Sequence, residues 1–345
     1  MFRFLFHLLG YGTAFLAGCG LLARFIPPDQ LWPPAIIALM LPVLLLFTLI
    51  YAGILVYRKD WRKLVFPLVI LVFALPLVPQ LFSFGGGTKS AKGEPTIRVL
   101  TTNVRLFRND AWKKISADRS LSFAKSYDPD VLMVQESSRF ANTKAERSYI
   151  KQHLGLGDYY QPTGKTAVTF ASGLKKISSH YTPKAYNGFT VVDVDTELGK
   201  VRVINAHLQS NQISKLADRI GNDKDLDQTV NRAKSMLRSY ATAAAKRAQQ
   251  AEEIQAIVNA SPHPVILGGD FNDVPSSYTY RKALSPRLRD AWAEAGTGLG
   301  TTFTGPIPWL RIDYLMVDTA FTIHSVERVE TGYSDHRGLG VVLGL

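Results

Sequence analysis

Hydrophobic positions in the first 84 residues are gathered into three long runs separated by short polar joints. The runs are Phe4–Phe25, Pro34–Tyr57 and Leu64–Phe84, each about 20 residues long and nearly uncharged. A helix of that length spans a hydrocarbon core of roughly 30 Å. Buried core helices are the alternative, but three such runs so close together favour transmembrane helices. The pattern therefore predicts three membrane spans.

Beyond residue 95 the pattern changes to short β-rich runs bounded by glycine, proline and polar residues, which predict strands. Helices are predicted over Asp118–Tyr127 and Lys246–Asn259; Leu288–Trp292 fits a short helix or a loop, and Thr301–Gly305 an edge strand. About 250 residues of this kind are typical of a two-layered α/β or sandwich architecture. The other predicted strands are Ile97–Thr102, Val131–Val134, segments of Tyr159–Ile177, Phe189–Asp195, Val201–Asn205, Pro264–Leu267, Arg311–Val317 and Leu339–Leu343.

The stretch Gly268–Pro275 carries the densest candidate chemistry. An apolar run breaks there into two glycines and then into alternating carboxylate and amide residues, as at the exposed end of a buried strand. Asp270 and Asn272 share one face of an extended segment, and Phe271 faces the opposite way. Such a pair suits a hard cation or a phosphate. A strand that ends in a capped turn remains the alternative, because the same residue types form turns.

Polar side chains also lie at the ends of other predicted strands. A single histidine in such a place is more often structural than catalytic. Asp313 lies at the beginning of the buried part of the run Arg311–Val317, and its carboxylate is costly to bury unless it has a partner. An adjacent Asp and His precede the last strand. The residues concerned are Asn103, Glu136, His207, Asp313, Asp335 and His336.

Composition narrows the substrate class only slightly. The chain has 345 residues, and its mean hydropathy of +0.02 reflects the apolar N-terminal runs rather than a uniform excess. Residues 1–95 carry eight Lys or Arg and three Asp or Glu, which leaves 32 basic and 25 acidic residues, about +7, for the remainder. This balance favours anionic substrates, including nucleic acid, phosphorylated small molecules and lipid headgroups. The single cysteine excludes an internal disulfide.

The charges of the joints predict the orientation in the membrane. The joint Arg58–Lys63 contains four basic residues, whereas the joint Ile26–Pro33 contains none. The positive-inside rule places Arg58–Lys63 in the cytoplasm. The N-terminus is then cytoplasmic, and everything after Phe84 lies outside. We expect a multi-pass protein of the inner or plasma membrane whose soluble domain is periplasmic or extracellular.

Cys19 offers a second interpretation of the N-terminus. The sequence Leu16-Ala17-Gly18-Cys19 resembles a bacterial lipoprotein processing site, which would make Cys19 a lipidated N-terminal residue. However, Gly20–Phe25 remains apolar and completes a full span. A small residue within a transmembrane helix is the favoured interpretation.

The composition divides the chain into a membrane domain over residues 1–84, a flexible linker over 85–95 and a soluble domain over 96–345. The soluble domain contains a segment of mixed charge, Ser210–Tyr240, with no strand signal. It is predicted to be helical and to carry Lys215, Arg219, Arg232, Lys234 and Arg238. A solvated helical crossover is favoured over a cap on the substrate.

Six short motifs in this order resemble the endonuclease/exonuclease/phosphatase superfamily, which includes deoxyribonucleases, apurinic endonucleases and sphingomyelinases. Each motif is weak alone, but together they extend from about residue 96 to the last strand. The resemblance implies an α/β fold, a four-layered α/β sandwich with two facing mixed β-sheets, here preceded by three transmembrane helices. The motifs are Asn103-Val104-Arg105, Gln135-Glu136, Asn205-Ala206-His207-Leu208, Gly269-Asp270-Phe271-Asn272, Arg311-Ile312-Asp313-Tyr314 and Ser334-Asp335-His336.

The resemblance also implies roles for these residues. Glu136 is the principal Mg²⁺ ligand, with Asn103 and Asp335 near the same ion, and Mn²⁺ is an alternative metal. His336 acts at the phosphorus centre, and Asp313 fixes its tautomer and raises its pKa. Three further catalytic residues complete the implied site: Asp270 to activate or orient water, Asn272 to hold a phosphate oxygen, and His207 to face the phosphate from the opposite side.

The expected function is that of a membrane-anchored, Mg²⁺-dependent phosphodiesterase or phosphatase acting outside the cytoplasm. Its substrate is a phosphate ester, either nucleic acid or a phospholipid or its headgroup. The lipid bilayer is its expected partner, and no obligate protein partner is implied. The alternative is a catalytically silent, membrane-tethered binding module with the same fold.

Overall fold

The computed structural model describes residues 1–88, 93–109, 111–137, 144–182, 185–210, 226–305 and 310–345. The chain divides into two compact units, each made of three segments. The helical unit comprises Met1–Leu81, Asn211–Ala251 and Asp273–Ala283. The sandwich unit comprises Phe82–Ser210, Glu252–Asn272 and Leu284–Leu345.

The helical unit begins with the apolar helices that the sequence predicts. Three of its helical stretches are long and apolar enough to cross a membrane: Arg3–Leu22, Pro33–Tyr57 and Trp61–Leu81. Proline opens the second of them, where its fixed φ suits the first helical turn. The helices are α1 (Phe2–Leu22), α2 (Pro33–Ile37), α3 (Leu41–Tyr57), α4 (Trp61–Ala74) and α5 (Val78–Leu81), and short 3-10 turns join α2 to α3 and α4 to α5.

Two later segments of the chain complete the helical unit. Helix α9 (Leu226–Asn259) has 34 residues, and its portion up to Ala251 belongs to this unit. Helix α10 (Tyr278–Ala283) lies in the third segment. The mixed-charge stretch Ser210–Tyr240 therefore includes the beginning of one long helix, which carries Arg232, Lys234 and Arg238. Lys215 and Arg219 lie outside the described residues.

The sandwich unit contains two six-stranded mixed sheets, as the sequence predicted. The strands are β1 (Ser83–Phe84), β2 (Ile97–Asn103), β3 (Val131–Gln135), β4 (Asp158–Tyr160), β5 (Val168–Ala171), β6 (Leu174–Tyr181), β7 (Gly188–Thr196), β8 (Gly199–His207), β9 (Val265–Asp270), β10 (Leu288–Asp290), β11 (Thr297–Gly298), β12 (Asp313–Asp318), β13 (Thr322–Val329) and β14 (Gly338–Gly344). The first sheet has the order β10-β12-β9-β8-β7-β6, and the second has the order β13-β14-β2-β3-β5-β4. The pairs β8/β9 and β2/β3 are parallel, and the other pairs in these two sheets are antiparallel.

Apolar side chains from both sheets form one core between them, to which Val99, Met133, Val203 and Leu315 contribute. A second core lies where short helices cover the outer face of the β2/β3 sheet. These layers match the predicted α/β sandwich. The remaining helices of the sandwich unit are α6 (Ala117–Ser120), α7 (Ser122–Tyr127), α8 (Lys144–Leu154) and α11 (Ala291–Ala295).

Three local predictions need correction. Thr301–Gly305 is not a strand, because only Phe303 forms a β-bridge, with His336. The predicted helix Asp118–Tyr127 is two short helices, α6 and α7. Leu288–Trp292 is divided between strand β10 and helix α11, whose start is capped by the Asp290 carboxylate. Ser83–Phe84, just before the predicted linker, pairs with β11.

The strand register brings the candidate residues to one edge of the sandwich. In the first sheet, His207 is paired with Asp270, and Asp270 with Asp313, so that the three lie in a row across neighbouring strands. In the second sheet, Asn103 is paired with Gln135, which places Glu136 next to Asn103. The motifs therefore meet because the parallel pairs β8/β9 and β2/β3 end at that edge.

Candidate active site

His336 and Asp313 form a buried hydrogen-bonded ion pair. The His336 Nδ1 lies 2.9 Å from Asp313 Oδ2 and 3.2 Å from Asp313 Oδ1, so the ring donates from Nδ1 to the carboxylate. Backbone contacts hold both residues, since Thr302 Oγ1 accepts from the Asp313 N–H and Ser334 Oγ accepts from the His336 N–H. The pair therefore presents Nε2 of a ring with a fixed orientation.

Asp270 is fully enclosed and is held by two hydrogen bonds. Its Oδ2 accepts from Asn103 Nδ2 at 3.0 Å, which joins β9 to β2 across the sandwich, and its Oδ1 accepts from the Asn272 N–H at 2.8 Å. His336 Nε2 lies 3.9 Å from Asp270 Oδ2. Asn272 has a left-handed backbone with φ of 53°, and its side-chain amide donates to the Leu208 carbonyl.

Burial and neighbouring charges move the pKa values of this cluster. Burial first, and then the charge of Asp313, raises the pKa of Asp270 to about 6, against the opposing effects of His336, His207 and the Asn103 hydrogen bond. Burial alone would lower the pKa of His336, but the charges of Asp313 and Asp270 outweigh it and raise that pKa to about 10. At neutral pH the site therefore holds a carboxylate beside an imidazolium.

His207 points into the same space from the other side. Its Nε2 lies 3.9 Å from Glu136 Oε1 and 3.9 Å from Asp270 Oδ2. Both of its ring nitrogens are buried, and neither makes a hydrogen bond within the described part of the chain. A buried ring without such a partner is costly. An anionic oxygen bound between these carboxylates and His207 would supply that partner.

The proposed metal ligands lie at the end of the β2/β3 pair. Glu136 follows Gln135, the register partner of Asn103, and Asp335 follows Ser334, whose hydroxyl donates to the Asn103 carbonyl oxygen at 2.7 Å. The side chains of Glu136 and Asp335 are each 36% exposed. Partly exposed carboxylates with an amide oxygen nearby fit Mg²⁺, which binds oxygen and keeps several waters.

A different set, Asp270, Asp313 and His336, also has ligand atoms within 4.8 Å of one another. These groups already bond to each other or to Asn103 and Asn272. Their arrangement is better suited to moving and holding protons than to binding a hard cation.

The backbone beside the ligands is strained. Glu136 has φ of 50°, and the three residues after Val104 also have left-handed values. The Leu106 N–H donates to the Glu136 carbonyl at 2.8 Å, and the Arg105 N–H donates to Asn103 Oδ1 at 3.0 Å. Non-glycine residues in this region cost of order 1–3 kcal/mol each and are concentrated at functional sites. The turn fixes the orientation of Asn103 and Glu136.

Several residues that hold the candidate site in place were not predicted to have a role from the sequence. Gln135 donates to Asn205 Oδ1 at 2.7 Å and thereby joins the two sheets near the site. Thr302 accepts from the N–H groups of Ile312 and Asp313. Arg105 Nε lies 3.8 Å from Asp335 Oδ1. Gln135, Asn205 and Arg105 belong to the recognised motifs, whereas Thr302 lies in a stretch that predicted only an edge strand.

The order and geometry of these motifs agree with a comparison of the sequence with family models. Residues 100–336 match the model described as the endonuclease/exonuclease/phosphatase family. The chain belongs to the endonuclease/exonuclease/phosphatase family. Residues 3–81 match DUF8431, described as a domain of unknown function. No curated protein gives a significant match.

Comparison with solved structures gives matches at 14–18% identity. D. rerio TDP2, humanized by 14 mutations, is 18% identical with a TM-score of 0.50, and the match covers 72% of this chain and 99% of that one. An endonuclease/exonuclease/phosphatase from Beutenbergia cavernae is 18% identical, TM-score 0.48, over 73% and 72% of the two chains. ANGEL2, described as a 2',3'-cyclic phosphatase, is 14% identical, TM-score 0.48, over 74% and 97%.

Membership of the endonuclease/exonuclease/phosphatase family defines the enzyme class. The family joins nucleases and phosphatases, so the protein is a phosphoric ester hydrolase. Enzymes of this family generally use divalent metal ions.

Proposed function

We propose that the protein is a membrane-anchored, Mg²⁺-dependent phosphodiesterase or phosphatase that acts outside the cytoplasm. The observation that carries the proposal is the pairing of Asp270, with a pKa of about 6, and His336, with a pKa of about 10, at 3.9 Å. Two groups whose pKa values are pushed apart in this way supply a base and an acid at neutral pH.

Each side chain of the candidate site has a separate role in the proposed hydrolysis. Asp270 accepts a proton from the attacking water as the water oxygen bonds to phosphorus. The His336 imidazolium, oriented by Asp313, donates a hydrogen bond to a phosphoryl oxygen, while His207 faces the phosphate from the other side and Asn272 holds a phosphate oxygen. The bond from phosphorus to the leaving oxygen breaks, that oxygen takes a proton from the solvent, and Asp270 returns the proton that it accepted to the solvent.

Asn103, Glu136 and Asp335 are the residues that would hold Mg²⁺. When bound, the ion neutralises charge on the phosphate and polarises its oxygens. Mn²⁺, which also accepts oxygen ligands, is the alternative. The support is the donor set itself: two carboxylates and an amide at one end of a parallel strand pair, with partial exposure that leaves room for retained waters.

Membrane anchoring is supported by the three apolar helical stretches, which are long enough to span a bilayer. The four basic residues in the joint 58–63 support a cytoplasmic N-terminus. We propose a membrane domain over 1–84, a linker over 85–95 and a catalytic domain over 96–345, on the periplasmic or extracellular side.

The test uses the full-length protein purified in detergent, with bis(p-nitrophenyl) phosphate as a general phosphodiester. We expect hydrolysis that requires Mg²⁺, stops with EDTA and falls at least 100-fold in Glu136→Ala. The control is Glu253→Ala, an exposed carboxylate on α9, which should retain activity. Hydrolysis by Glu136→Ala at the wild-type rate would remove Glu136 from the site. The absence of hydrolysis of any phosphate ester by the wild type would contradict the proposed function.

A further inference from the structure

Two hydroxyl groups from late segments of the chain contact the beginning of the second apolar span. The buried Tyr240 hydroxyl donates to the Ala35 carbonyl oxygen at 2.9 Å, and the buried Ser276 hydroxyl donates to the Ala38 carbonyl oxygen at 2.9 Å. Tyr240 and Ala244 also belong to an apolar cluster with Ala35. We name the Tyr240–Ala35 and Ser276–Ala38 hydrogen bonds the docking contacts.

The position of the docking contacts along the span gives their depth in a membrane. Ala35 and Ala38 are the third and sixth residues of the stretch Pro33–Tyr57, so they lie within about 8 Å of its end. The 25-residue stretch would be about 37 Å long as an ideal helix, which exceeds a hydrocarbon core of roughly 30 Å. The excess of about 7 Å carries each end roughly 3–4 Å into the headgroup region, so the docking contacts lie at the boundary between headgroups and hydrocarbon, with Ala35 at the boundary and Ala38 slightly deeper.

A basic side chain lies at the same side of the helical unit. The Arg281 guanidinium is 4.5 Å from the centre of the Phe25 ring and donates to the Arg24 carbonyl oxygen, just after α1 ends. Arg281 is exposed, and Lys282 follows it in α10. Long basic side chains at this level place their charge among lipid phosphates.

The same segments lead directly to Asp270 and Asn272. Asp273 follows Asn272, and its carboxylate accepts from the fully buried Arg247 at 3.0 Å. The Arg247 guanidinium lies 5.5 Å from the centre of the Tyr240 ring. Because Ser276 is only four residues beyond Asn272, the covalent chain limits their separation to about 14 Å.

We propose that the substrate is a phosphate ester carried by a membrane lipid, hydrolysed at the headgroup level on the side where residues 23–32 lie. This proposal rests on the proposed hydrolase function and adds the substrate class. A lipid phosphate is confined to the layer next to the docking contacts, so holding the loop 270–276 near that layer raises the frequency of encounter. A nucleic acid in solution is not confined to the membrane surface, so this position of the loop does not raise its frequency of encounter with the site.

The reaction balances without a further reactant. The oxygen of water bonds to phosphorus, and the bond between phosphorus and one alcohol oxygen of the lipid breaks. One proton of the water passes to Asp270, which returns it to the solvent, and the released alkoxide takes one proton from the solvent, so the products are that alcohol and the remaining phosphate ester.

The test uses the full chain reconstituted in vesicles of phosphatidylethanolamine and phosphatidylglycerol at 3:1. Release of soluble or lipid product with Mg²⁺ is compared with cleavage of a single-stranded oligonucleotide and of bis(p-nitrophenyl) phosphate. We expect kcat/KM for vesicle lipid at least tenfold above that for the oligonucleotide. The double variant Tyr240→Phe/Ser276→Ala should lose at least fivefold on vesicle lipid and less than twofold on bis(p-nitrophenyl) phosphate.

Each contrary result has a distinct meaning. Preferred cleavage of the oligonucleotide overturns the lipid proposal and leaves the hydrolase function intact. If the double variant loses as much activity on bis(p-nitrophenyl) phosphate as on vesicle lipid, the docking contacts only stabilise the loop 270–276. That result overturns the proposal that they hold the site near the lipid headgroups. Failure of the wild type on all three substrates overturns the proposed function as well. Tyr159→Phe, which alters an exposed ring on β4, is the matched control and should behave as the wild type.

Discussion

The ion pair of His336 and Asp313 determines the charge of the candidate site. Asp313 raises the pKa of His336 and, as the second cause after burial, also that of Asp270. A raised histidine pKa stabilises the fold fully below the unfolded value of roughly 6.5, and this stabilisation is lost as pH rises through about 10. The raised carboxylate pKa acts in the same direction: the folded state keeps Asp270 protonated up to about pH 6, so the fold loses stability as pH rises from roughly 4 to 6.

Asp313→Asn should lower both pKa values while preserving side-chain shape. We expect His336 to titrate at least one unit lower, because the largest raising charge is gone. NMR of ¹⁵N-histidine-labelled protein, with His336→Gln to assign the resonance, measures the shift. The resonance of the exposed His153 at pH 7 should be unchanged. A His336 titration that does not move in Asp313→Asn would refute the electrostatic explanation.

At the scale of single residues, the sequence predicts which residues belong to the candidate site better than it predicts their hydrogen-bond partners. Alternation places Asp270 and Asn272 at a strand end, and the cost of burying Asp313 predicts that it needs a partner. The hydrogen bond from Asn103 to Asp270 could not be predicted in the same way, since it joins strands of different sheets. Which residues face each other across a sandwich depends on packing and not on local pattern.

Among the elements, strand β9 depends most on a single residue. Gly269 has φ of 131°, and a Cβ added there would lie 1.9 Å from the Ala206 carbonyl oxygen of β8. Glycine is needed because the two backbones approach so closely next to the His207–Asp270 pair. Gly269, one of the two glycines that mark this strand end in the sequence, is thus required for the close packing of β9 against β8 at the site.

Gly269→Ala should destabilise the fold by at least about 2 kcal/mol, because both the backbone conformation and the space exclude a methyl group. That loss corresponds to a melting temperature about 4–8 °C lower. Displacement of Asp270 should also reduce hydrolysis about 100-fold. Thermal unfolding of the purified protein measures the first effect. Gly157→Ala, where a Cβ meets nothing within 4 Å, is the control, and equal melting temperatures for the two variants would contradict the explanation.

Elements with strong periodicity are the ones that the sequence predicts well. The apolar spans and the buried strands β2, β3, β8 and β9 are close to their predicted bounds. Thr301–Gly305 fails because its polar groups bond to other segments: Thr302 N–H donates to the Leu310 carbonyl and Thr304 N–H to the Asp335 carbonyl. β-rich composition cannot distinguish such a segment from an edge strand.

For the whole molecule, the orientation in the membrane is the property that most affects function. A periplasmic reporter such as alkaline phosphatase, fused after Leu345, should be active, and a fusion within the joint 58–63 should be inactive. The physical reason is the retention of four basic residues on the cytoplasmic side. A cytoplasmic reporter should give the reverse pattern. If the Leu345 fusion is active only with the cytoplasmic reporter, the predicted orientation is wrong, and the substrate is then inside the cell.

Helix α9 and the segment 273–283 pack with the N-terminal helices although about 200 residues separate them in sequence. During synthesis at about 5–20 residues per second, Ala35 would wait roughly 10–40 s for Tyr240 to be made. Through that interval the start of the second span can pack against α1, but it lacks its contacts with Tyr240 and Ser276. Assembly of the helical unit is therefore expected to finish in a late step, in which α9 and the segment 273–283 pack against helices made much earlier, and a chain that is cut before residue 240 would leave that surface open.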